Sequence, residues 1–290
     1  MPVTGKFYLR VWESDFGLPT VDPESLIALT TLKMCKADVS VSYASCPQYL
    51  SIPSISQNNK CLAVGFEFVN EVMKICNIDA NLDSRNQSNS MAYKRYFLES
   101  FEPLFFYDCW IRKSNYLHTT RPWFMAAVTF PFNYFYIKAK YKEAIQRFQC
   151  LKKGNTEEVY VAELHKLASC CLDDFNNMLS DGRTYIFGST PSELDAVVYS
   201  YIVIALNLPL SDVHFQNTIK GYRVLCKYVR NITRLYYPEL EVKYKYVQPE
   251  DTLKDSASNL TLLITAICAS SLMIFYAHIN GIFRVKFWKE

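Results

Sequence analysis

The spacing of apolar positions changes period along this chain, and the changes divide it into segments. Residues 7–11 (FYLRV) alternate in a run rich in aromatic and branched side chains, which predicts a strand. The loop SDFGLPTVDPES follows, and within it Asp22 with Pro23 at the first helical position marks a helix start. Leu26, Ile27, Leu29, Thr30, Lys33 and Met34 continue a mixed helical face, and residues 39–43 (VSVSY) alternate again as a second strand. After a Cys46-Pro47 turn, Pro53 sits between Ile52 and Ile55. A polar turn at 57–60 then leads into CLAV at 61–64, which predicts a strand positioned by an X-Pro bond and a short hairpin. The apolar-rich segment 66–78 closes a βαβ-ββα order.

Residues 80–90 (ANLDSRNQSNS) are polar and aperiodic, so they read as a linker between domains. Beyond it the period is helical. Tyr93, Phe97, Phe101, Leu104 and Phe105 recur at three- and four-residue spacing, as do Val161, Leu164, Ala168, Cys171, Phe175 and Met178. Between these runs, residues 110–136 hold nine aromatics interrupted by Pro122 and Pro131. Basic stripes are sparse beside them, so they predict core or a helix–helix seam rather than a stacking platform. The segment 184–209 is the spine of this half. Gly188 supplies a turn, Pro191 ends any preceding helix, and Ser192-x-x-Asp195 has capping-box spacing, a structural use that occupies both side chains. From Ala196 to Leu206 only Ser200 lacks an apolar side chain, which predicts a buried helix. A further helix begins at Gly221 and ends before Pro238.

The last fifty residues differ. Residues 256–283 contain no Asp, Glu, Lys or Arg, a length sufficient to span about 30 Å of hydrocarbon. Leu260, Leu263, Ile267, Leu272, Phe275 and Ile282 supply the apolar content of an expected tail anchor. Arg284, Lys286, Phe287, Trp288 and Lys289 form the basic, aromatic flank expected at a membrane interface. An anchor so near the end inserts after synthesis and leaves the bulk of the chain facing the cytosol. Its moderate hydrophobicity and short basic flank favour the mitochondrial outer membrane over the endoplasmic reticulum.

Composition narrows the chemistry. A 290-residue chain with 50% hydrophobic and 15% aromatic content buries a substantial core. A net charge of +3 without long runs leaves no footprint for nucleic acid. The N-terminus lacks the apolar run of a signal peptide, so the ten cysteines are expected to be reduced and free, and neither they nor the four histidines have metal-ligand spacing.

A thioredoxin-like order, a polar linker and a helical half with an S-x-x-D box after a Phe-Gly turn together resemble the glutathione-transferase fold. The fold class expected is α+β, with a thioredoxin-like domain at 1–79, an all-helical domain at 91–240 and a transmembrane helix at 259–283. More narrowly, the chain resembles metaxins in four stretches: FGLPTVDPESL at 16–26; CWIRKSNY, TRPWF and FPFNYF within 109–135; YIFGSTPSELDAVVYSY at 185–201; and GYRVLCKYVRNITRLYYP at 221–238. The resemblance implies a subunit of the mitochondrial outer-membrane sorting and assembly machinery for β-barrel proteins. Its implied partners are a second metaxin and the machinery's β-barrel core subunit, with no catalytic residue and no cofactor. Pro53 matches the cis-proline position of the transferase fold. A transferase also needs a Tyr, Ser or Cys after the first strand and an acidic-Ser pair at a helix start; here the loop offers Ser14, while the helix start reads Val64-Gly65-Phe66-Glu67. Two further readings remain: a membrane-bound glutathione-dependent transferase using Ser14, and an adaptor linking mitochondria to transport motors.

Overall fold

In the computed structural model, β1 (Lys6–Val11) is the strand on which the sheet is built. It pairs in parallel with β2 (Asp38–Tyr43) and antiparallel with β3 (Ser54–Gln57), which pairs antiparallel with β4 (Lys60–Val64), giving the order β2-β1-β3-β4. Alternation sets the faces: Phe7, Leu9 and Val11 are buried while Tyr8 is exposed. The structure describes residues 5–43, 52–240, Ser270, Ser271 and Met273, except the side chain of Phe66. The expected anchor and the Cys46-Pro47 turn therefore lie outside the described residues, apart from those three helical, exposed positions. Among the described residues no helix is long and apolar enough to cross a membrane.

A parallel pair needs a crossover, and α1 (Pro23–Met34) supplies it. Asp22 caps this helix, its Oδ2 accepting the Ser25 N–H at 2.8 Å and the Ser25 hydroxyl at 2.6 Å. A 3₁₀ turn (Gly65–Glu67) leads into α2 (Phe68–Cys76), which packs on α1.

The polar window at 80–90 is not an extended linker. Its first residues belong to a 3₁₀ turn (Ile78–Asn81), and α3 (Ser84–Ser100) starts inside it. The residues are polar because they serve the helix start: Asn86 Nδ2 donates to Asp83 Oδ1 at 2.5 Å and Gln87 Nε2 to the Leu82 carbonyl at 2.9 Å. An opening helical turn that faces water shows no apolar period.

α4 (Glu102–Phe106), the single turn α5 (Lys113–Asn115) and α6 (Arg121–Ala127) follow, with wide π turns at Tyr107–Ile111 and Tyr116–Thr120 on either side of α5. Then come α7 (Phe132–Lys152), α8 (Glu157–Met178), α9 (Glu193–Asn207), α10 (His214–Gly221) and α11 (Arg223–Tyr236). Every residue of α9 from Leu194 to Ala205 is buried. The helix lies against α1, α3, α10 and α11, so one continuous core runs from Phe7 and Leu9 in the sheet to Ile232 in α11. The segments 1–79 and 91–240 fall within the same compact unit.

Candidate functional site

A cleft of about 410 Å³ opens beside Pro53. The Ile52–Pro53 peptide is cis, and the Pro53 carbonyl accepts the Gly65 N–H at 2.9 Å, tying the turn before α2 to the start of β3. Trp12, at the end of β1, forms the floor and is 5% exposed. Its ring meets three others from the helical half: Trp123 at 6.0 Å, Phe124 at 5.4 Å and Tyr136 at 5.8 Å, the first two edge-on. Ser14 is exposed in the following loop and is not among the residues lining the cleft.

Charged groups of both signs stand along the rim. Lys140 pairs with Glu143 at 3.2 Å, and Arg147 pairs with Glu102 at 2.8 Å while its guanidinium covers the Phe106 ring at 4.6 Å. Glu24 reaches solvent at the mouth, yet the walls strip enough water from its carboxyl to push it up to about 7, with the negative charges of Asp22 and Glu102 adding to that rise. Asp22 is also raised by burial, against the bonds it accepts from Ser25. Glu24 can thus hold a proton near neutral pH, but among the described residues no activated nucleophile adjoins it. The thiol in the neighbouring apolar cavity of about 100 Å³, that of Cys109, is buried and its pKa is pushed far up by that burial. Among the described residues no group of three His, Cys, Asp or Glu could hold a metal ion.

The aromatic run at 110–136 divides rather than packing as one seam. Trp110, Phe124 and Tyr136 line the cleft and Trp123 the neighbouring apolar cavity, whereas Phe130, Phe132, Tyr134 and Phe135 are exposed around the cis Phe130–Pro131 peptide at the start of α7. Likewise the eight described cysteines are free but not uniformly buried: Cys61, Cys150 and Cys170 are exposed, while Cys76, Cys109 and Cys171 are buried.

A family model described as outer mitochondrial membrane transport complex protein matches residues 25–141, and the glutathione S-transferase C-terminal domain model matches residues 168–232. Metaxin-1 of Mus musculus is 26% identical over 290 aligned residues, covering 96% of this chain and 91% of its own length. Metaxin-3 of Xenopus laevis is 29% identical over 237 residues, covering 79% and 76%. The chain is thus similar to metaxins along nearly its whole length. Of solved structures, a glutathione S-transferase of Ceriporiopsis subvermispora in complex with glutathione matches with TM-score 0.52 at 10% identity, covering 84% of this chain and 99% of its own. Poplar glutathione transferase F1 matches with TM-score 0.50 at 11% identity, covering 84% and 100%. At such identities the likeness concerns fold alone.

Two polar clusters draw on the stretches that resemble metaxins. In YIFGSTPSELD, Tyr185 and Gly188 exchange backbone bonds at 3.0 and 2.9 Å, and Gly188 takes a φ of 109° that favours glycine. Ser192 and Asp195 form the reciprocal box, with Asp195 N–H donating to Ser192 Oγ at 3.3 Å and Ser192 N–H to Asp195 Oδ2 at 2.9 Å. Asp195 Oδ1 additionally accepts the Ile186 N–H at 2.8 Å and the Tyr228 hydroxyl at 2.7 Å, so the cap also joins the preceding turn to α11. In CWIRKSNY, Arg112 donates to Asp108 at 2.6 Å and to Asp212 at 2.8 Å, while Asn115 Oδ1 accepts the Asp212 N–H at 2.7 Å. Sequence reasoning missed this network. Its Asp108-to-Arg112 half has the i,i+4 spacing that could have signalled it; Asp212, 100 positions from Arg112, has no local signal.

Proposed function

We propose that the chain is a non-enzymatic subunit of the mitochondrial outer-membrane sorting and assembly machinery, acting in import and assembly of β-barrel proteins. Its coarser role, in an outer mitochondrial membrane transport complex, rests on the family match at 25–141 and on metaxin similarity along nearly the whole chain. The observation that carries the non-enzymatic reading is the cleft. Where the transferase fold offers a ligand site, aromatic rings pack over Trp12 and the Ser14 hydroxyl lies outside the lining. A tail anchor at 260–282 would hold the body on the outer face of the membrane, leaving the aromatic and polar surfaces free for a second metaxin and the β-barrel core subunit.

The test pairs capture with extraction. Affinity capture from mitochondria should recover β-barrel assembly subunits and a metaxin partner; recovery of neither would sink the reading. The full chain should resist carbonate extraction, and a chain ending at Asp255 should not, because a few polar contacts cannot replace burial of about 20 apolar residues. Carbonate resistance of the truncated chain would remove the anchor. Binding to immobilised glutathione, with turnover abolished by Ser14→Ala, would replace this function by a transferase.

A further inference from the structure

Outside the cleft, two thiols meet where two packed helices end. Cys35 caps the C-terminus of α1 and Cys76 is the last residue of α2, and the chain leaves each through a residue of positive φ, Lys36 at 56° and Asn77 at 42°. These two turns bring together sulfurs 41 positions apart in sequence, with Cys35 Sγ 2.9 Å from Cys76 Sγ. A disulfide measures about 2.05 Å, so a side-chain movement under about 1 Å closes the gap. Cys35 is half-buried and Cys76 is 9% exposed. Both line an open cavity of about 560 Å³ shared with Lys36, Asn77, Asn81 and Pro191, which gives a small reagent a route to Cys35.

We propose that Cys35 and Cys76 are a redox pair that closes reversibly to a disulfide by exchange with a small-molecule disulfide of the glutathione type, with Cys35 as the entry thiol. In the first step the Cys35 thiolate attacks one sulfur of the oxidised reagent, an S–S bond forms to the protein, and one reagent thiolate leaves. In the second, Cys76 gives up its proton to solvent and attacks Cys35 Sγ; the protein disulfide forms and the second reagent thiolate leaves. The protein loses two electrons and two protons, and the reagent becomes two thiols. The order follows from exposure and from the contact itself. The contact with Cys76 holds the Cys35 pKa down, while the same contact, followed by burial, holds that of Cys76 up. Once Cys35 is in the mixed disulfide, the first cause of the Cys76 rise is gone, so the resolving thiol is released when it is needed. The closed bond fastens the end of α2 to α1, the helix that lies on α9, and encloses β2, β3 and β4 in one covalent loop.

The experiment is peptide mapping of the purified full chain after incubation in oxidised and reduced glutathione. In oxidised buffer the peptides bearing Cys35 and Cys76 should appear linked, alkylation of both should fall to near zero, and dithiothreitol should restore it. The Cys76→Ser variant should accumulate glutathione on Cys35, and Cys35→Ser should leave Cys76 unmodified. Continued alkylation of both cysteines in the wild-type chain would overturn the proposal, as would independent glutathione adducts on each. The wild-type map decides even where a variant fails to fold.

Discussion

Asp195 illustrates how much one buried carboxylate can organise. It is fully buried, and its two oxygens take the N–H groups of Ile186 and Ser192 and the hydroxyls of Tyr228 and Ser192. Spacing within the sequence identifies the cap but predicts equal losses from its two members, about 1 kcal/mol each. The tertiary partners make them unequal. Ser192→Ala should cost about 1 kcal/mol, as loss of an N-cap side chain does. Asp195→Ala also orphans the buried Ile186 N–H and Tyr228 hydroxyl, each worth about 1–3 kcal/mol when left unpaired, so it should cost about 3 kcal/mol or more. Chemical denaturation of the full chain measures both. The double variant should lose less than the sum, since the side chains share one box. Equal losses would mean that the Ile186 and Tyr228 bonds contribute nothing.

Between elements, Arg112 joins the π turn at Tyr107–Ile111 to the loop before α10. The Asp108 side chain is 2% exposed and that of Asp212 34%, and the difference decides which ion pair matters. Burial raises the Asp108 carboxyl above the ordinary range, and Arg112 pulls it back. Replacing Arg112 by Met would leave a buried charge unpaired, a change that costs about 3–5 kcal/mol, whereas Asp212→Asn at the wetter site should cost about 1 kcal/mol or less. The pH dependence follows in sign. Without Arg112 the folded-state pKa of Asp108 climbs further, so the folded state binds its proton more tightly than the unfolded chain does. The stability this confers is present at acid pH and lost as pH rises through the folded pKa. The Arg112→Met deficit should therefore be larger at pH 8 than at pH 5 in denaturation midpoints. A deficit constant over that interval would exclude Asp108 as its source.

Across the whole folded body, the sheet and the helical half share one core around α9, and Trp12 closes a second, smaller cluster with Ala127 and Val128 at the cleft. Trp12→Ala should cost about 3–5 kcal/mol, the usual loss on truncating a large buried aromatic. Because the core is continuous, residues 1–245 should still unfold in one transition, which coincident fluorescence and circular-dichroism curves would register. A separate early transition of the sheet half would show that the α1–α9 contact does not couple the two halves.

Features that depend on neighbours a few residues away were set by the sequence itself. The alternation at Phe7, Leu9 and Val11, the Asp22-Pro23 helix start and the Ser192-Asp195 box each state their geometry locally, through a period or a cap. The uncharged run at 256–283 likewise declares its hydropathy. The start of α3 was hidden because its first turns are polar and face water, which mimics a linker. Only the tertiary structure could decide the rest. The rings around Trp12, the Arg112–Asp212 bridge and the Cys35–Cys76 contact join residues far apart in sequence. Such meetings follow from the packing of whole helices and strands, for which neither period nor local spacing is a measure.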